Sequence, residues 1–189
     1  MFDSKIREET LFALLRLPVP VIPIYENFDR NLYGRIRDSL LFLATRGNPR
    51  VMLQIDSRGG DVNAGLDIYD LLMLYPGGCD GLVICSADST GAVVLQACRK
   101  RLCARHAGVL IHHISRRSVA LDDIVSDSGV KKTRASMKAT QERLYTILSG
   151  RTGRTVAEIR KACLKNETMR AEEALAFGLV DEIIDGELR

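Results

Sequence analysis

A serine placed between a short apolar run and a wholly apolar helical run is a candidate nucleophile. Gly81 to Ile84 leads toward Ser89, and Ala92, Val93, Val94, Leu95, Ala97 and Cys98 follow it. At such a junction the first N–H groups of a buried helix are unpaired and the helix dipole is positive, which suits a developing oxyanion. Serine is also a favoured N-cap, and taken alone capping is the more ordinary role. Two further segments change the balance. Ile55-Asp56-Ser57-Arg58-Gly59-Gly60 follows the apolar strand Val51-Met52-Leu53. Paired glycines permit positive φ and close approach of backbone to a substrate, although an ordinary strand-to-helix turn also uses them. Val109-Leu110-Ile111-His112-His113-Ile114 reads as a strand ending in two of the chain's three histidines. Alternation sends His112 and His113 to opposite faces, so at most one enters a given site. A histidine on an apolar strand is more often a satisfied core residue.

In this order the three segments resemble the proteolytic subunit of the ATP-dependent Clp protease. That family shows D/N-S-P-G-G, then A-S-M-G-A around its nucleophile, then M-I-H-Q-P around its histidine. Here the counterparts are Ile55–Gly60, Asp88-Ser89-Thr90-Gly91-Ala92 and Leu110-Ile111-His112-His113-Ile114. A fourth segment, Met169-Arg170-Ala171-Glu172-Glu173-Ala174 through Phe177-Gly178-Leu179-Val180-Asp181, is similar to the family's M-S-A-E-E-A…Y-G-L-V-D. The resemblance runs from about Val21 to Ile184 and implies a single Clp-protease-like α/β domain over residues 1–189. It further implies a crotonase-like spiral of β-β-α units, with a protruding handle helix in the region of about 115–148. Residues 1–20 form an N-terminal segment that does not match well.

By the same resemblance Ser89 is the nucleophile and His112 the base, since a serine hydroxyl needs a base to take its proton. The backbone N–H groups of Gly60 and Thr90 match the oxyanion donors. Thr90 replaces a methionine, which leaves the main-chain donor in place. Arg58 replaces the proline before the double glycine, and Asp88 replaces a small residue before the nucleophile. A carboxylate there would repel an oxyanion or attract a basic side chain. The orienting third residue departs furthest. Thr155-x-x-Glu158 is a capping box, and counting forward brings the family's aspartate position onto Asn166, where relatives read R-D-T-E-R-D and this chain reads Lys161-Ala162-Cys163-Leu164-Lys165-Asn166. An asparagine oxygen can accept the imidazole Nδ1–H, but it carries no charge. In trypsin the aspartate-to-asparagine change costs about 10⁴ in kcat. The expected triad is therefore Ser89–His112–Asn166, weakened or regulated.

The elements that must position these residues alternate between β and α. Val21 to Tyr25 is a strand whose Pro23 confines it to an edge. Asp29 can cap a helix with the apolar stripe Leu32, Ile36, Leu40 and Leu43. The helix after the double glycine shows Val62, Leu66, Tyr69 and Met73 on one face, and Pro76-Gly77-Gly78 stops it. This spacing predicts a parallel sheet with crossover helices. A first helix opens at Asp3 or Ser4 and must end before Pro18 and Pro20. Ser115 to Gly129 is polar and serine-rich, and a helical pattern from roughly Val130 to Leu148 follows, with Met137, Leu144 and Leu148 on one face. In the relatives a strand and helix here interlock two stacked rings; an ordinary surface loop before a packed helix is the alternative.

The chain has 189 residues, enough for one well-buried core. Its 27 basic and 24 acidic residues are interspersed, for a net charge of +3, so no nucleic-acid footprint appears. No apolar run approaches the ~20 residues that span a bilayer. Five cysteines without paired spacing read as reduced, buried thiols in a cytoplasmic protein. No cofactor or metal site is suggested.

The leading expectation is a serine-type endopeptidase subunit cleaving unfolded polypeptide inside a ring chamber. The ring is homo- or hetero-oligomeric, a heptamer or stacked heptamers by resemblance. A hexameric ATP-driven unfoldase is the implied partner, since the chain itself has no P-loop. The rival is a catalytically weak or inactive ring subunit that docks with active relatives, which Asn166, Asp88 and Arg58 favour. An acyl-CoA enzyme of crotonase fold would not need the serine–histidine pair. A membrane-associated Ser-Lys peptidase fits neither the histidine nor the absence of an apolar span.

Overall fold

The computed structural model describes residues 19–115 and 121–184. The helix expected to open at Asp3 or Ser4 lies outside the described residues, as does most of the N-terminal segment. Among the described residues seven strands form one sheet: β1 (Val21–Ile24), β2 (Val51–Ser57), β3 (Cys79–Asp88), β4 (Arg101–Ala104), β5 (Gly108–Leu110), β6 (Thr168–Arg170) and β7 (Glu182–Ile184). The main path is parallel, in the order β1-β2-β3-β4-β7. β3 forks. Its lower part, Gly81–Val83, pairs with β4, whereas Ser86–Asp88 pairs with β5. On its other side β5 pairs antiparallel with β6.

The first helix, α1 (Arg30–Ala44), starts where Asp29 leaves the extended conformation and its carboxylate accepts from Leu32 N at 2.8 Å. Leu32, Ile36, Leu40 and Leu43 are its buried face, the stripe expected from their spacing. Pro23 sits on β1 at the sheet edge, where its missing N–H breaks no ladder on the open side. The second helix, α2 (Val62–Leu74), buries Ala64, Gly65, Ile68 and Leu72, and Met73 is exposed. The expected stripe of Val62, Leu66, Tyr69 and Met73 is therefore corrected. Asn63, Asp67 and Asp70 mark one side of this helix, but the apolar arc that remains is wider than one packing face, so periodicity alone does not choose a face within it. Small residues choose it: a Cβ on Gly65 would lie 1.9 Å from Thr90 Cγ2, so only this face admits the short helix α3 (Thr90–Leu95).

After β5 come a short helix, α4 (Asp122–Val125), and the long α5 (Asp127–Thr152). Ser126 caps α5 by accepting from Gly129 N at 3.0 Å, and Gly153 ends it at φ 71°. Its buried residues are Leu144, Tyr145 and Leu148, all in its C-terminal half. The strand expected between Ser115 and Gly129 is not found among the described residues, because 121–125 are helical or turn; 116–120 lie outside them. Two more helices, α6 (Val156–Lys165) and α7 (Ala171–Phe177), complete the chain of elements. α6 opens with the expected capping box, Thr155 N donating to Glu158 Oε2 at 2.9 Å and Glu158 N to Thr155 Oγ1 at 3.2 Å.

Buried Arg101 ties the sheet to the helices behind the site. It donates to Asp181 Oδ2 at 3.0 Å, to Gln96 Oε1 at 2.5 Å and to Gly178 O at 2.8 Å. The C-terminal end of α3 is thereby fixed to β4 and to the turn after α7. Among the described residues no disulfide forms; Cys79, Cys98, Cys103 and Cys163 are buried and Cys85 is exposed. Among the described residues no helix is long and apolar enough to cross a membrane.

Candidate active site

Ser89 occupies a sharp turn between β3 and α3 with φ 57° and ψ −116°, and its side chain makes no capping hydrogen bond. The cap reading is thereby excluded. A non-glycine residue in this region is strained by about 1–3 kcal/mol and persists only where its surroundings over-determine it. Here they do. Ser89 N donates to Leu110 O at 2.7 Å, extending the β3–β5 ladder by one residue. On the other side lies Gly59 at φ 93°, where a Cβ would be 2.7 Å from Ser89 Cβ and 2.8 Å from Asp88 O.

Gly60 is equally confined, because a Cβ there would be 2.4 Å from Phe28 O. Phe28 N donates to Gly59 O at 2.9 Å and Asp61 N to Phe28 O at 2.8 Å, which clamps the double glycine from below. Thr90 Oγ1 donates to Gly60 O at 3.2 Å, joining the glycine loop to the start of α3. Among the described residues the N–H groups of Gly60 and Thr90 have no acceptor. Two uncommitted donors on linked loops are a ready anion site.

His112 lies two residues beyond β5. Its Nδ1 is 2.6 Å from His113 O. A carbonyl only accepts, so Nδ1 carries the proton and Nε2 keeps a lone pair. Ser89, Thr90 and His112 line one small cavity, walled by apolar side chains that include Val62 and Leu66 of α2 and Leu144 and Leu148 of α5. Its volume of about 20 Å³ is room for roughly one water. No hydrogen bond joins Ser89 to His112 among the described residues, a looseness common in unliganded serine–histidine sites. Gln141 of α5, also on this wall, accepts from Ile114 N at 2.7 Å.

β5 ends at Leu110, so the strand expected to reach Ile114 is shorter and neither histidine belongs to it. His113 lies off the small cavity. Its ring meets Tyr145 edge-on at 6.1 Å, and its Nε2 is buried without a partner. Asn166 lies two residues before β6, and extending the antiparallel Leu110–Thr168 register by two residues sets it across from His112. It is exposed, sits at φ 52° and ψ 42° as the C-terminal cap of α6, and does not line the Ser89–His112 cavity. Among the described residues no hydrogen bond joins its amide to His112, and the acceptor 2.6 Å from Nδ1 is the His113 carbonyl. A main-chain acceptor leaves no trace in residue type, so sequence reasoning missed it. The stop signal at Lys165-Asn166, a basic last turn before the best non-glycine left-handed residue, was readable. Gln141 was also missed, and nothing in its surroundings in the chain marks it.

Asp88 is half-buried at the end of β3. Burial pushes its carboxyl above the ordinary range, and the charges on Arg58 and His112 oppose that rise. Its Oδ1 is buried with no hydrogen-bond partner.

A strained serine, a histidine with a free Nε2 and two uncommitted N–H donors can together perform nucleophilic acyl transfer of the serine-hydrolase type. The family model for Clp protease matches residues 11–187, and the chain belongs to that family. Its members are peptidase subunits that form oligomeric rings.

Proposed function

We propose that this chain is a serine-type endopeptidase subunit acting on unfolded polypeptide, with Ser89 as nucleophile and His112 as base. The observation that carries the reading is the shared cavity of Ser89 and His112, with His112 Nδ1 committed to His113 O. In the proposed cycle, Nε2 takes the Ser89 proton as Oγ attacks the peptide carbonyl. The oxyanion settles on the N–H groups of Gly60 and Thr90. His112 then protonates the leaving amine, and water cleaves the acyl-enzyme by the reverse sequence. In this reading the Nδ1–H of His112 is held by the His113 carbonyl, and no step is given to Asn166.

A wall movement belongs to the proposal. A cavity of about 20 Å³ admits no peptide side chain, so the α5 residues Gln141, Leu144 and Leu148 must shift when substrate binds. We read α5 as the handle helix of a β-β-α spiral, and ring assembly in sevens and feeding by an ATP-driven unfoldase follow as family expectations. The small cavity and the neutral partner of Nδ1 favour a second reading, a weak or inactive ring subunit. Intact-mass analysis after exposure to a fluorophosphonate separates the two. A single adduct mapped to Ser89 supports the peptidase. No adduct in a folded, assembled sample supports the structural subunit.

A further inference from the structure

Catalysis by the proposed pair develops a positive charge on His112, and neither the His113 carbonyl nor Asn166 supplies a negative one. A carboxylate is nevertheless at hand on the nucleophile's own strand. In the β3–β5 ladder Asp88 is in register with Leu110, and paired residues of a parallel ladder face the same side. The bond from Ser89 N to Leu110 O continues the ladder past the end of β3. Two residues beyond Leu110, just past the end of β5, stands His112, whose charge acts on the Asp88 carboxyl. The charged groups bearing on Asp88 are Asp56 at the end of β2, Arg58 in the following loop, and His112. Asp56 is engaged by Ser86, whose Oγ donates to its Oδ1 at 3.3 Å. Asp88 Oδ1, in contrast, is buried and unpartnered, a costly state that persists when a charge or a function holds it.

We propose that Asp88 is the charge partner of His112, a positioning residue that stabilises the imidazolium from the nucleophile's own strand. The inference rests on the serine–histidine reading above. Arg58 completes the device by keeping Asp88 ionised against its burial, which accounts for two charged residues meeting beside a site that is otherwise apolar.

The experiment is a titration of the three histidine rings of the full chain by long-range ¹H–¹⁵N NMR, each assigned by its glutamine variant. In Asp88→Asn the His112 midpoint is expected to fall by about one pH unit or more, the size of shift produced by an opposite charge a few ångströms away. His106 and His113 are expected to stay, and Asp88→Glu to recover most of the fall. Asp88→Ala serves as a second variant, because it deletes the unpartnered oxygen altogether. An unmoved His112 in both folded variants overturns the proposal. Failure of both to fold overturns it too, since Asp88 would then be a structural residue. Turnover is not needed, so the outcome is independent of the fluorophosphonate result. A moved His112 without a Ser89 adduct refutes the peptidase and keeps the coupling; an adduct with an unmoved His112 does the reverse.

Discussion

Replacing Asn166 by glycine gives opposite results for its two candidate roles. As a helix cap, Asn166 holds a left-handed conformation at φ 52° and ψ 42°. A side chain there costs an ordinary L-residue roughly 1–2 kcal/mol, asparagine less, and glycine nothing. Glycine also adds about 0.4–1 kcal/mol of unfolded-chain entropy. The two effects oppose each other, so stability should change by less than about 1 kcal/mol, or roughly 2–4 °C in Tm for a chain this size. The side chain is exposed and off the cavity, so kcat/KM should stay within about twofold. Were the amide holding the His112 ring, its loss would cost on the order of 10²–10⁴. Fluorogenic peptide hydrolysis and calorimetry on one preparation distinguish these outcomes. A hundredfold loss of kcat/KM at unchanged Tm would refute the assignment of His113 O as the orienting acceptor. Asn166→Asp is expected to do equally little, because a carboxylate at a helix C-terminus is mildly unfavourable and an exposed one is screened.

Ser89→Ala should abolish peptide hydrolysis and fluorophosphonate labelling while moving Tm little, since the hydroxyl makes no capping bond; hydrolysis surviving in the variant would sink the nucleophile assignment. Gly59→Ala should destabilise by at least roughly 1–3 kcal/mol from its positive φ alone, and the collision with Ser89 Cβ at 2.7 Å should also cut kcat. Soluble, fully active Gly59→Ala protein would contradict the packing of the turn. Asp88→Asn should raise Tm at neutral pH. Burial lifts the Asp88 carboxyl, against Arg58 and His112, so the folded chain binds this proton at a higher pH than the unfolded one. The ionised group is therefore destabilising above its folded pKa, and the advantage of the variant should vanish as pH falls through that value. A wild type more stable than Asp88→Asn at neutral pH would reverse the sign of the argument.

What could be read in advance was local. Asp29 with its stripe, the Thr155–Glu158 box and Pro23 at an edge each depend on a few neighbouring residues, and each stands where expected. α2 had a legible polar side in Asn63, Asp67 and Asp70, but the apolar arc opposite is wider than one packing face, and the expected stripe took the wrong edge of that arc. Its orientation follows from Gly65, whose missing Cβ matters only once Thr90 is known to lie against it. In the site, Ser89 and His112 were legible as residue types, whereas the group on Nδ1 is a main-chain oxygen one residue away. Counting along α6 reached Asn166 as a position, the helix cap, but spacing carries no information about which way an exposed cap faces.

The fork in β3 divides the site between two bodies of unequal strength. The nucleophile stands at the end of the longest strand, which is built into the parallel sheet on both sides. The base hangs from a flap, since β5 meets β3 through only three register pairs and is backed by the three-residue β6. Short ladders open at lower free energy than the core they join. Heat or denaturant should therefore part the base from the nucleophile while the main sheet is intact. Activity would fade reversibly below Tm, and the amides of Val109 and Met169 would exchange with deuterium sooner than those of Leu53 and Val83.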